Sequence, residues 1–350
     1  MFTTEKVWLA LCCMMFLAPT AWSSEAAGQA ALQEERYVTV GGIPQWISIR
    51  TRSTENPILL VLHGGPGFTV SPVSYHFMRD WDEYFTVVQW DQRGAGKTYR
   101  RETADAIKPT LSIDRLVADA EELIQYLTER FEQKRVVVYG FSFGTIVGVK
   151  LAQSRPDLLH AYVGSGQFVD FMRGEALGYQ ATLADAKGDG NQEAIAALES
   201  IAPFPDPNRP ERNLENLSTE RRWLAHYGGY FAGGGEGQHF AIAAQSPLHT
   251  DADRERWQEA HDYSVLALWD EIGKVNFSHV TRFKVPVILM QGRHDRGTIS
   301  SLVEEWYMKI KAPRKRLIWF ERSSHMAFEE EPGKMLVSLV NEVLPLTHKR

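Results

Sequence analysis

An α/β fold with a mainly parallel central sheet, flanking helices and an inserted helical cap is what this sequence predicts, and three observations predict it. Nearly continuous apolar runs, Ile58 to Leu62, Thr86 to Trp90, Arg135 to Tyr139, Val285 to Met290 and Arg316 to Phe320, each end in a polar or glycine-rich turn. Such runs belong to strands buried on both faces. Between them stand helical stretches, most plainly Ile113 to Phe131, where Leu116, Ala120, Leu123, Ile124 and Leu127 recur at three- and four-residue spacing and form one sheet-facing stripe. From about Val169 to Thr281 the strand-like runs stop. Pro203, Pro205, Pro207 and Pro210 punctuate that stretch, and the rest of it reads as amphipathic helix and loop.

In chain order, Lys6 is followed by an apolar run from Val7 to Ala18, closed by Pro19. The run is too short to span a bilayer comfortably. With small residues at Ala21 and Ser23 it reads as a secretory signal peptide over residues 1–26. The expected location is periplasmic or secreted, with a retained N-terminal anchor as the alternative. Cys12 and Cys13, the two cysteines of the chain, fall in this leader, so the mature protein would carry no thiol and no disulfide. Tyr37 to Val40 and Gln45 to Arg50 follow as β-prone runs separated by Gly41-Gly42-Ile43-Pro44, a hairpin. Strands alternating with helices then imply right-handed crossovers and a site at the carboxyl ends of the strands. The expected division is a catalytic domain of residues 31–168 and 282–350, with residues 169–281 as the cap. Gly233-Gly234-Gly235-Glu236-Gly237 within the cap reads as a flexible loop, or as the hinge of a lid.

With 350 residues, 44% hydrophobic and 23% charged, the chain is long enough for a large core. A formal charge of -6 supplies no broad basic field for nucleic acid or an anionic membrane. The expected partner is a small molecule or short peptide, with no membrane span in the mature protein.

The run Arg135 to Tyr139 leads directly into Gly140-Phe141-Ser142-Phe143-Gly144 and a helical stretch, Thr145 to Gln153. This is the G-x-S-x-G nucleophile elbow in its strand-turn-helix setting. A hydroxyl is a poor nucleophile until a base removes its proton, and imidazole has the pKa for that task. His325, in Ser323-Ser324-His325-Met326 after the last apolar strand, is the expected base. Asp295, after the strand Val285 to Met290, is the carboxylate expected to hold that imidazole. His294 beside it reads as a structural neighbour and Asp91 as a turn residue.

At the end of Ile58 to Leu62 stands His63-Gly64-Gly65-Pro66-Gly67, a loop with little side-chain bulk. The N–H of Gly65, with that of Phe143, is the expected oxyanion hole, worth about 3 kcal/mol per donor. Gly64 is a candidate substrate contact. Gly94-Ala95-Gly96-Lys97-Thr98 imitates the tail of a phosphate-binding loop, but Asp91 stands where the leading glycine belongs. His294 and Asp295 have no third ligand at usable spacing, so no metal and no cofactor are expected.

Together these motifs, with Asp91-Gln92-Arg93-Gly94-Ala95-Gly96, resemble the prolyl aminopeptidase (proline iminopeptidase) branch of the α/β-hydrolases over roughly Ile58 to Gly164 and Val285 to Met335. The resemblance implies a serine hydrolase that cleaves an amide, short-peptide or ester bond through an acyl-enzyme, with release of N-terminal proline as its particular activity. Members of that branch hold the substrate's ammonium with cap glutamates, one of them in a Trp-x-x-Trp-Glu type motif. No such motif stands here, and Trp269-Asp270-Glu271 and Arg221-Arg222-Trp223 are the nearest clusters. Trp223, Tyr227, Tyr230 and Trp269 read either as pocket lining or as ordinary helical core. A carboxylesterase of small acyl esters, or a ligand-binding protein with a vestigial triad, are the alternatives. Aspartate-nucleophile chemistry is disfavoured by serine at position 142.

Overall fold

The structure, a computed structural model, describes residues 30–102 and 104–348, so the expected leader at 1–26 lies outside the described residues. Strands β1 (Leu32–Val40) and β2 (Ile43–Thr51) form an antiparallel hairpin in which Val40 faces Ile43. The turn is therefore Gly41-Gly42 alone, with φ of +58° and +80°. A two-residue hairpin loop needs that left-handed backbone, and glycine adopts it without steric cost. Ile43 and Pro44, expected in the turn, instead open β2.

The remaining strands are β3 (Ile58–Leu62), β4 (Thr86–Asp91), β5 (Val136–Phe141), β6 (Leu159–Ser165), β7 (Val287–Gly292) and β8 (Lys315–Phe320). Among the described residues they make one eight-stranded sheet in the order β1-β2-β4-β3-β5-β6-β7-β8. All pairings from β4 to β8 are parallel, and β2 joins β4 antiparallel. The apolar-run criterion misses β6. Its sequence Leu-His-Ala-Tyr-Val-Gly-Ser is broken by His160 and Gly164, and pairing with β5 on one side and β7 on the other makes it a strand.

Alternate residues of the central strands feed two cores. On one face Leu60, Leu62, Val136 and Val138 pack with Leu116, Ala120, Leu123, Ile124 and Leu127, the stripe of the helix Ile113–Arg130. Ser112 caps that helix by accepting from Arg115 N–H. On the other face Leu59, Val61, Val137, Tyr139 and Phe141 pack with Val73, Phe328 and Met335. Each such side chain stabilises the fold by roughly 1.5–3 kcal/mol.

Between β6 and β7 the chain forms the helices Phe171–Asp189, Gln192–Ser200, Glu211–His226, Glu236–Ala244, Asp251–Glu255 and Trp257–Ile272, and no strand. Part of this segment has a small core of its own, built from Tyr179, Ala186, Leu198, Phe204 and Trp223. No helix of the described residues is long and apolar enough to cross a membrane.

Candidate active site

Ser142 follows β5 without a spacer and has φ of +51°, a left-handed backbone that non-glycine residues rarely adopt. The strain is held by its neighbours. Ser142 N–H donates to Ser165 O at 2.9 Å, and Thr145 Oγ1 donates to Ser142 O at 2.6 Å. A Cβ at Gly144 would stand 2.1 Å from Leu62 O, which is why this position must be bare for the helix Gly144–Ser154 to start beside β3.

His325 and Asp295 come from different loops, after β8 and β7, and meet directly: His325 Nδ1 lies 2.9 Å from Asp295 Oδ2. The same oxygen accepts from Gln291 Nε2 at 2.8 Å and Thr298 Oγ1 at 2.7 Å, while Oδ1 accepts from Thr298 N–H at 2.8 Å. Four donors fix the carboxylate, and the carboxylate fixes which imidazole nitrogen faces outward. The ring is wedged between Phe141 and Tyr230, with centroids 5.1 and 5.7 Å away. Ser142 Oγ makes no hydrogen bond among the described residues, and its residue lines the same cavity as His325. Hydrogen bonds between nucleophile and base commonly tighten only when substrate is present.

The loop of Gly64, Gly65 and Pro66 closes the other side. A Cβ at Gly64 would stand 3.0 Å from Ser142 Cβ, so Gly64 packs against the serine, while Gly65 and Pro66 line the cavity. Gly65 has φ of +107°, and a side chain there would strike Phe68 N at 2.5 Å. Neither Gly65 N–H nor Phe143 N–H donates to a backbone acceptor among the described residues. The helix Trp257–Ile272 braces this loop through His261 Nδ1, 2.7 Å from Pro66 O.

The cavity measures about 610 Å³, within the range of a drug-sized ligand. Its wall is largely aromatic, with Phe68, Phe168, Phe171, Tyr230, Phe240 and Trp269 prominent. Tyr230 and Trp269 are thus pocket residues. Trp223 and Tyr227, the other two candidates, pack into the small helical core instead and are absent from the cavity wall. Helical spacing is the same for both outcomes, and only the neighbouring helix decides between them.

Arg221 also lines the cavity, and behind it lie two carboxylates that sequence reasoning missed. Arg221 bonds to Glu175 at 2.6 Å and to Glu220, and Glu175 and Glu220 are buried. Glu175 Oε2 and Glu220 Oε1 have no partner. Burial pushes the Glu220 carboxyl up, with Arg221 opposing and Glu175 adding to the shift. The signal available in the sequence was Glu220 standing directly before Arg221-Arg222-Trp223.

Asp91 is not a turn residue. It ends β4, is fully buried, and accepts from Thr69 Oγ1, from Ser71 Oγ at 2.9 Å and from Lys97 N–H at 2.8 Å. The imitation phosphate loop therefore turns its N–H toward the protein's own carboxylate. His294 is exposed and contributes backbone bonds to the Ser323-Ser324 loop. Gly233-Gly234-Gly235 adjoins a strap tied to the histidine loop: Met326 N–H donates to Tyr230 O, Ser324 Oγ to Gly229 O, and Ala232 N–H to Glu330.

Residues 58–339 match the alpha/beta hydrolase family, which is most of the chain. The chain belongs to that family. A probable aminopeptidase of Bacillus subtilis, YbaC, is 27% identical to this hydrolase over 308 residues, covering 85% of this chain and 92% of the relative. A proline iminopeptidase of Saccharolobus solfataricus is 24% identical over 321 residues, covering 87% and 90%. Among solved structures, a proline iminopeptidase-related protein of Thermus thermophilus superposes with a TM-score of 0.65 at 23% identity, over 90% of this chain and 98% of that one. The relatives bear out the likeness to prolyl aminopeptidases read from the motifs, and the superposition bears out the fold.

Proposed function

We propose that this hydrolase acts through an acyl-enzyme on Ser142, cleaving an amide bond at the amino end of a short peptide, with N-terminal proline a candidate for the residue released. The observation that carries the reading is the direct His325–Asp295 contact of 2.9 Å at the wall of the cavity that Ser142 lines. Asp295 accepts the Nδ1 proton, so Nε2 of the neutral ring takes the proton of Ser142 Oγ as that oxygen attacks the carbonyl carbon. The carbonyl oxygen becomes negative and is met by Gly65 N–H and Phe143 N–H, both without another backbone acceptor. The Nε2 proton then passes to the leaving nitrogen, and the C–N bond breaks. Water repeats the sequence: its proton goes to Nε2, the acyl–oxygen bond breaks, and the proton returns to Ser142.

The aminopeptidase form of the reading is supported by the relatives' names and by Glu175 and Glu220. Two carboxyl groups on one guanidinium leave an acceptor oxygen of each, Glu175 Oε2 and Glu220 Oε1, unpaired beside the cavity, where a substrate ammonium could be received. The same contact favours a second reading: because Arg221 already occupies both carboxylates, a neutral acyl ester in the aromatic cavity is the esterase alternative. We also place the mature protein outside the cytoplasm, on the leader alone.

A fluorophosphonate followed by intact mass is the first test. One adduct on the wild type and none on Ser142→Ala is expected, and an unlabelled, folded wild type defeats the mechanism. Rates on proline p-nitroanilide against short p-nitrophenyl esters then separate peptidase from esterase.

A further inference from the structure

A second imidazole in the cavity wall is held by a carboxylate. His239, on the helix Glu236–Ala244, lines the cavity, and its Nδ1 lies 2.8 Å from Glu329 Oε1, a residue four positions after His325. Both side chains are almost fully buried, at 3% and 4% exposure. Nε2 of His239 is buried and has no partner. Leaving such an atom unpaired is costly, so a site that keeps one has a use for it or a water to fill it.

The surroundings point to a ligand. His239 stacks near Phe68 and Trp257, with centroids 5.8 Å away in both cases, and Trp257 Nε1 is a second buried nitrogen without a partner. Phe240 packs edge-on against His239 at 5.3 Å and against Trp257 at 6.3 Å, and it is 47% exposed. The rings that carry the two unpaired nitrogens therefore share one half-exposed neighbour, Phe240. Phe68, Phe231 and Phe240 surround His239 in this part of the wall, with His261 edge-on to Phe68 at 5.6 Å.

We propose that His239, fixed by Glu329, is a specificity-determining residue whose Nε2 accepts a hydrogen bond from an N–H or O–H group of the substrate once Phe240 moves aside. With Nδ1–H given to the Glu329 carboxylate, the neutral ring offers Nε2 as an acceptor only. An apolar substrate leaves that acceptor unpaired, and a substrate with a correctly placed donor satisfies it. Discrimination built on a buried unpaired group is steep. The inference rests on the acyl-enzyme reading for its substrates, since the donor is carried on the acyl group that would be transferred to Ser142.

The test uses matched pairs of p-nitrophenyl acyl esters differing by one hydroxyl or one amide N–H on the acyl chain. The wild type is expected to favour the donor-bearing member of at least one pair by about tenfold or more in kcat/KM, chiefly through KM. His239→Phe keeps a ring and is expected to bring that ratio close to one, while His239→Gln, which keeps a polar atom near the Nε2 position, retains most of it. Thermal unfolding of each variant checks the fold. No preference in any pair, or a preference that survives His239→Phe, overturns the proposal. Fluorophosphonate labelling of the wild type separates the two failures: label with no donor preference removes only the His239 subsite, and absence of label removes the acyl-enzyme beneath it.

Discussion

Among the described residues, two groups of serine, aspartate and histidine invite comparison, and we propose catalysis at one of them. In the first, Asp295 touches the imidazole of His325, whose other nitrogen is left for a hydroxyl in the cavity. In the second, Ser71 sits between the partners: its hydroxyl lies 2.9 Å from Asp91 Oδ1 and 2.9 Å from His249 Nε2. The second group is sealed in the protein. Burial raises Asp91 to about 6 and lowers His249 to about 3, so a charge is resisted at both ends. The same three residue types form the proposed base and nucleophile in one case and a structural knot in the other. Order of contact and access to a cavity make the difference.

The comparison breaks most sharply at the serines. Ser142→Ala is expected to lower kcat by about 10⁴–10⁶-fold on a chromogenic substrate with Tm unchanged or raised, because the strained backbone at φ +51° gains nothing from the hydroxyl. Asp295→Asn comes next, at about 10³–10⁴-fold in kcat, since an amide in place of the carboxylate disturbs the tautomer that leaves Nε2 as acceptor. A steady-state rate near wild type would remove Asp295 from the mechanism.

The buried group is expected to answer in stability and not in rate. The folded state holds a proton on Asp91 between about pH 4 and pH 6 that the unfolded chain has released, so its stabilisation is complete below about pH 4 and is lost as pH rises through 6. His249 acts in the opposite sense: its folded pKa is depressed, and its stabilisation is present above about pH 6.5 and lost as pH falls toward 3. The two slopes oppose each other over the shared window. Asp91→Asn is therefore expected to steepen the rise of stability with pH between 4 and 6, by up to about 3 kcal/mol across the window, as read by denaturant unfolding at each pH. An unchanged slope would show that Asp91 does not hold the proton. Ser71→Ala is the mildest case, at about 1–2 kcal/mol of stability with kcat retained. A loss of turnover there would mean that the loop carrying Gly65 depends on this knot.

Much of the site was legible in the sequence because each motif is tied to the end of a strand. Gly140 to Gly144 follows β5, Asp295 follows β7 and His325 follows β8, and parallel strands bring their carboxyl ends to one edge regardless of what lies between. The strand β6 was not legible, because its burial comes from its neighbours and its own pattern is interrupted. Asp91 looked like a turn residue for a similar reason: three donors satisfy it, and they come from two other segments of the chain, Thr69 and Ser71 from one and Lys97 from the other.

The sequence alone determined the parallel sheet, the elbow and the chain order of Ser142, Asp295 and His325, since these follow from local spacing and apolar runs. Only the tertiary structure decided that Trp269 and Tyr230 face the cavity while Trp223 and Tyr227 do not, that Glu175 and Glu220 share Arg221, and that Glu329 holds His239. The Glu175–Arg221 and Glu329–His239 pairings join residues far apart in sequence. An amphipathic helix announces that it has a buried face, and the physics of packing chooses what that face meets.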